Sequence, residues 1–134
     1  YEDLFGEQLA ARFAIAEEAP TILVNVSNIA WFGDSVAIDQ HLQISRMRAL
    51  ELHRPMLRAT NTGATAIIDH QGRVTARLPR LTRGVLEGEV EGRRGITAFA
   101  RWAGAWGLAP LWLLGLVLLA FAGFSERGRG RTPG

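Results

Sequence analysis

The stretch Ile22-Leu23-Val24-Asn25-Val26 settles the fold class. It is short, apolar and mostly β-branched, the pattern of a strand buried on both faces. Ahead of it, Asp3 to about Glu18 reads as a helix. Phe5, Leu9 and Phe13 recur there at four-residue spacing, Asp3 can cap the first turn, and Pro20 stops the run. Behind it, Asn28 to Asp39 reads as a loop holding the aromatic pair Trp31-Phe32 and the turn residues Gly33-Asp34-Ser35. A second helix is expected from about Asp39 to His53, ended by Pro55. Ala64 to Ile68 and Arg73 to Leu78, joined by Asp69-His70-Gln71-Gly72, form a hairpin pattern. Val85 to Val90 is expected to be a further short strand, and Gly92 to Ile96 a connection. This alternation is that of an α/β domain.

From Trp102 the composition changes to WAGAWGLAPLWLLGLVLLAFAGF, with no charge between Leu108 and Phe124. A helix of roughly 17–25 apolar residues spans a bilayer core, so one transmembrane helix is expected within residues 102–124. Pro110 falls in its first turn, where a missing N–H costs little. Trp102, Trp106 and Trp112 gather at one end, as in an interfacial belt. Residues 125–134, with Arg127, Arg129 and Arg131, read as a disordered basic tail. Arginines next to a span favour the cytoplasmic side, which puts the tail inside and residues 1–101 outside. Arg93, Arg94 and Arg101 flank the other end, but charges on a long domain weigh less in that choice.

The net charge is +2 and the isoelectric point about 10.3, with no Lys and no Cys. The arginines are scattered, and the one tight cluster follows the apolar run, so a membrane accounts for it better than a nucleic acid does. Without Cys there is neither a disulfide nor a thiolate metal site. His41 and His53 lie twelve apart with no third ligand at metal spacing, so no metal and no cofactor are expected. Arg46, Arg48, Arg54 and Arg58 with Glu51 read as a charged helix face with local ion pairs, Arg48 and Glu51 being an i, i+3 pair. Asn61-Thr62-Gly63 reads as a tight backbone turn. Glu2 and Asp3 are equally suited to the first turn of a helix, where negative charge is favoured.

Three segments carry a resemblance: Tyr1-Glu2-Asp3-Leu4-Phe5-Gly6-Glu7; Asn25-Val26-Ser27-Asn28-Ile29-Ala30-Trp31-Phe32-Gly33; and Arg46-Met47-Arg48-Ala49-Leu50-Glu51 with Arg54-Pro55 and Arg58-Ala59-Thr60-Asn61-Thr62-Gly63. In this order they resemble the nitrilase superfamily downstream of its nucleophile. With the apolar run added, they resemble its apolipoprotein N-acyltransferase branch. The resemblance covers nearly the whole chain. It implies an α/β fold, the C-terminal part of an αββα sandwich followed by one transmembrane helix, and a Glu-Lys-Cys catalytic set. In that branch the nucleophilic Cys is followed directly by Tyr and Glu. Tyr1 and Glu2 match this pair, so the Cys is expected immediately before Tyr1, with the Lys and base Glu further upstream. By the same resemblance, Trp31 and Phe32 lie in a loop bordering the active-site cleft. Ile29 departs from the pattern, standing where relatives usually have Asp.

The implied partners are a phospholipid acyl donor, the N-terminal diacylglyceryl-cysteine of an apolipoprotein as acceptor, and the membrane, with no nucleic acid. The implied location is the bacterial inner membrane, multi-pass in the full-length protein, with a periplasmic catalytic domain and a cytoplasmic tail. The chain itself lacks the Cys, Lys and base Glu, so it is expected to be an inactive fragment that does not fold stably alone. Two other readings stay open: a membrane-anchored nitrilase-type amide hydrolase, and a non-enzymatic membrane-anchored binding module.

Overall fold

A computed structural model describes residues 2–129 of the chain, with side chains from residue 3 to residue 123. Four strands form one sheet in the order β1-β2-β3-β4: β1 (Leu23–Ser27), β2 (Met56–Thr60), β3 (Ala66–Ile68) and β4 (Val74–Arg77). β1 and β2 run parallel, with Leu23 opposite Met56 and Asn25 opposite Arg58. Parallel neighbours need a crossover, and α2 (Ala37–Leu52) supplies it. β2, β3 and β4 are antiparallel, with Arg58 opposite Ala66 and a register shift at Ile67/Ile68. The expected second helix and hairpin are therefore present. His53 closes α2 in a left-handed conformation at φ 53°, and its N–H returns to the helix carbonyls.

The core lies on one face of the sheet. Leu23, Met56, Ala66 and Ile68 pack with Ile38, Leu42, Ala49 and Leu52 of α2, and with Ala10 and Phe13. Among the described residues only one face of β1 is covered. Val24 and Val26 are 68% and 81% exposed, because all the described helices that enter the core lie on the other side of β1.

Three expectations are corrected. The first helix is shorter than Asp3 to Glu18: a 3-10 turn at Glu2–Leu4 precedes α1 (Gly6–Ala11). Beyond Ala11, three-residue bonds from Phe13 N–H to the Ala10 carbonyl and from Ala14 N–H to the Ala11 carbonyl tighten the chain. That turn directs Phe13 into the core, where it is 1% exposed. Val85 to Val90 forms no strand, since no strand among the described residues offers it a ladder; Val85 is exposed and Gly88 passes over Ile67.

The apolar C-terminal run is not one helix either. α3 (Ala98–Trp106) and α4 (Ala109–Arg129) meet at a 70° bend. Gly107, at φ 52°, ends α3 in a positive-φ conformation that favours glycine. Among the described residues no single helix is long and apolar enough to cross a membrane, although the bent pair meets that requirement together. α3 packs on α1 through small residues: Ala100 and Ala103 are buried, and a side chain on Gly104 would press on the Ala10 carbonyl. α4 runs on to Arg129, into the stretch read as a tail, and residues 130–134 lie outside the described ones.

Candidate active-site region

The 3-10 turn at the start of the chain is tied to Arg58, and Gly6 just beyond it lies against Arg48. Arg58 sits on the inward face of β2, two residues from buried Met56, so strand periodicity drives its side chain under the sheet. A buried guanidinium requires an anion and acceptors. Its Nη1 donates to Ser45 Oγ at 2.6 Å, to Asn25 Oδ1 at 3.1 Å and to Asp3 Oδ2 at 3.4 Å. Ser45 Oγ in turn donates to Asp3 Oδ2 at 2.9 Å, and Ser27 Oγ to Asn25 Oδ1 at 3.1 Å. The Arg58 side chain is wholly buried and Asp3 nearly so. Nε and Nη2 of Arg58 are buried with no hydrogen-bond partner among the described residues. Burial pushes the Arg58 pKa down, and the Asp3 carboxylate works against that shift.

The second arginine, Arg48, pairs with Glu51 at 2.9 Å, as the i, i+3 spacing foretells. Its guanidinium lies over Gly6, where any Cβ would overlap it. Burial raises the Glu51 pKa, against the pull of Arg48. Arg54 and Arg58 are not part of an exposed charged face. Both are turned into the protein, at 1% and 2% exposure, because Pro55 ends α2 and the chain enters β2.

The loop after β1 forms the other side of the region. Ile29 is buried over Gly63, so closely that a Cβ on Gly63 would overlap it. The Ile29 N–H donates to Asn61 Oδ1 at 3.2 Å, and Asn61 Nδ2 donates to Asn28 Oδ1 at 2.8 Å. An apolar plug and an Asn–Asn bridge thus hold the loop where relatives were expected to use Asp. Further along, Arg80 pairs with Asp34 at 3.1 Å and with Asp39, and Arg77 reaches Asp39 at 3.4 Å. The Arg80 hydrogen bond holds the Asp39 carboxyl below its usual range. A cavity of about 190 Å3 lies between turn and loop, lined by Asp3, Val26, Ser27, Asn28, Ile29 and His41.

Of the residues singled out from the sequence, Tyr1 lies outside the described residues. Glu2 begins the 3-10 turn, and its side chain is outside them as well. Trp31 and Phe32 occupy a second 3-10 turn, Ala30–Phe32. Trp31 is 77% exposed and donates Nε1–H to the Asn28 carbonyl at 3.2 Å. Phe32 rests on His41, with ring centroids 5.3 Å apart. The pair therefore flanks the cavity without lining it. The cluster of Asp3, Ser45, Arg58 and Asn25, and the place of His41, are additions from the structure. One signal for the cluster was available, since an arginine at an inward strand position calls for a carboxylate. Among the described residues no three His, Asp or Glu side chains are grouped to hold a metal.

A family model for carbon-nitrogen hydrolases matches residues 1–97. The chain belongs to the carbon-nitrogen hydrolase family. The carbon-nitrogen hydrolase match ends at Thr97, which caps α3: its Oγ1 accepts from Ala100 N–H at 3.0 Å and donates to the Glu51 carbonyl at 2.6 Å. Several curated relatives are named apolipoprotein N-acyltransferase. The chain is 64% identical over 115 residues to the apolipoprotein N-acyltransferase of Verminephrobacter eiseniae, covering 81% of this chain and 22% of that protein. It is 58% identical over 120 residues to that of Ralstonia nicotianae, covering 90% and 23%. It is 45% identical over 134 residues to that of Azotobacter vinelandii, covering 100% and 24%. The chain thus spans about a quarter or less of the length of these relatives.

Proposed function

We propose that this chain is a segment of an apolipoprotein N-acyltransferase, which moves an acyl chain from a phospholipid to the N-terminal amine of a diacylglyceryl-cysteine. The observation that carries this reading is the 64% identity to a relative of that name across 81% of the chain. In the proposed reaction a cysteine thiolate attacks the ester carbonyl carbon of the phospholipid. A C–S bond forms, the ester C–O bond breaks, and the lysophospholipid leaves as the alcohol, protonated by the base that had taken the thiol proton. The lipoprotein amine then attacks the thioester, forming the amide C–N bond and releasing the thiolate, while a base takes the amine proton. Two moderate steps replace one difficult step.

The cysteine belongs immediately before Tyr1 and the Lys and base Glu further upstream, so residues 1–134 alone are inactive. Tyr1 and Glu2 flank the nucleophile, at the entry to the 3-10 turn. Trp31 and Phe32 border the cleft, and exposed Trp31 suits contact with an acyl chain. Residues 1–101 complete the hydrolase domain on the periplasmic side. Residues 102–124 enter the inner membrane as a bent pair: Trp106 and Trp112 are exposed, as are Leu113, Leu116, Leu119 and Phe121 along α4, which suits lipid and aromatic-belt contact. The tail faces the cytoplasm.

The test uses the full-length protein with a phospholipid carrying a labelled acyl chain and no acceptor. A labile thioester on the Cys before Tyr1, discharged by a diacylated lipopeptide amine, is the expected result. Discharge by water alone identifies ester hydrolysis through the same thioester instead, and no adduct on folded protein refutes the acyltransferase reading in favour of an amide hydrolase or a binding module. Replacing Glu2 is expected to impair acylation; unchanged turnover removes it from the mechanism.

A further inference from the structure

We infer that Arg58, acting through Asp3, Ser45 and Asn25, is a positioning residue that sets the two walls of the cavity beside the nucleophile-flanking turn; the inference rests on the acyltransferase reading above. The first wall is Asp3, one residue beyond Glu2, tied to Arg58 Nη1 directly and through Ser45 Oγ. The second wall begins at Ser27, tied to the same nitrogen through Asn25 Oδ1. Both Asp3 and Ser27 line the 190 Å3 cavity. One nitrogen atom thus links the turn, α2 and the end of β1.

The way Arg58 distributes its hydrogen bonds is the second observation. A guanidinium carries five N–H donors. Arg54 spreads four bonds over all three of its nitrogens. Arg58 instead concentrates three acceptors on Nη1, while its buried Nε and Nη2 have no partner among the described residues. The arrangement places Nη1 where the two walls meet. A buried ion pair is a weak source of net stability, and an apolar pair of similar volume is often neutral by comparison. Its value here is geometric: a nucleophile displaced by about 1 Å loses roughly 100-fold in rate.

The experiment compares full-length wild-type protein with the Asp3→Leu/Arg58→Met double variant, whose two side chains replace the ion pair with apolar groups. The readouts are the thermal midpoint, the single-turnover rate of thioester formation from labelled phospholipid, and KM for that phospholipid. The expected result is a folded protein with KM close to wild type and thioester formation slowed by about 100-fold. A folded double variant that acylates within about twofold of wild type overturns the inference, because a merely structural pair would give that result. If the double variant does not fold, Ser45→Ala decides. It removes only the bridging hydroxyl; a lower rate at unchanged KM supports positioning, and an unchanged rate overturns it. Failure of the wild-type protein to form any thioester overturns the acyltransferase reading itself, and so is distinct from failure of the variants.

Discussion

Arg54 and Arg58 lie four residues apart on either side of Pro55 and are equally hidden from water, yet their surroundings differ in kind. Arg54 is surrounded by backbone. Its guanidinium donates to the carbonyls of Pro20 and Gly95, both at 2.6 Å, and to those of His53 and Leu52 at 3.1 and 3.2 Å, with its charge 5.1 Å above the Phe13 ring. Three stretches of chain distant in sequence are tied there by one side chain. Arg58 meets side chains only, one of them a carboxylate. Backbone acceptors are present whatever the residue type, so the Arg54 site is a clamp on chain path. Side-chain acceptors have to be chosen, so the Arg58 site is a specific arrangement around the turn. Burial alone does not distinguish a stabilising arginine from a positioning one; the identity and distribution of its acceptors do.

The largest expected effect is on the Arg54 side. Arg54→Met leaves several carbonyls without donors, and each buried unsatisfied group costs about 1–3 kcal/mol. The unfolding midpoint of the full-length protein is expected to drop sharply, with activity per folded molecule retained. A stable variant with lost activity would reverse the roles assigned to the two arginines. Next comes Gly6→Ala, which pushes aside the guanidinium end of the flexible Arg48 side chain and should destabilise by no more than about 1 kcal/mol. Combining it with Arg48→Ala should recover part of the loss in a double-mutant cycle; strict additivity would show that Arg48 is not the obstacle.

An exposed arginine supplies the contrast. Arg80→Gln breaks the pairs to Asp34 and Asp39. Exposed pairs contribute little stability, so the unfolding midpoint should hold while hydrogen exchange over residues 30–36 speeds up. Unchanged exchange would mean that the loop is held by Ile29 and Asn61 alone.

The smallest effect is a pH dependence beside Arg54. Burial, with repulsion from His70, Arg93 and Arg54, holds His53 below its ordinary 6.5. The unfolded chain therefore takes up this proton more readily than the folded one. Stability is full above pH 6.5, declines as pH falls from there to the lower folded value, and is level below it. His53→Asn, which tolerates the left-handed backbone at this position, should flatten that slope in midpoints measured between pH 5 and 8. A slope that survives belongs to another group.

Much of the fold was legible because its cues are local. Pro55 ends α2, Asp69 to Gly72 turn the hairpin, and β-branched residues mark β1. Strand β2 was hidden because Arg58 interrupts its apolar pattern, although that same interruption marks the site. Trp31 and Phe32 were recognised as a loop pair; that Phe32 stacks on His41, which lines the cavity, came only from folding α2 against the loop.

By itself the sequence determined the α/β alternation, the family and the apolar C-terminal run, since periodicity, turn residues and motif order act between near neighbours. Only the tertiary structure decided which face of β1 is covered, which arginines are buried and by what, and where the C-terminal run bends. Those outcomes depend on partners far apart in sequence, such as Asp3 with Arg58, Pro20 with Arg54 and α1 with α3. A buried charge takes its meaning from the partner that folding brings to it.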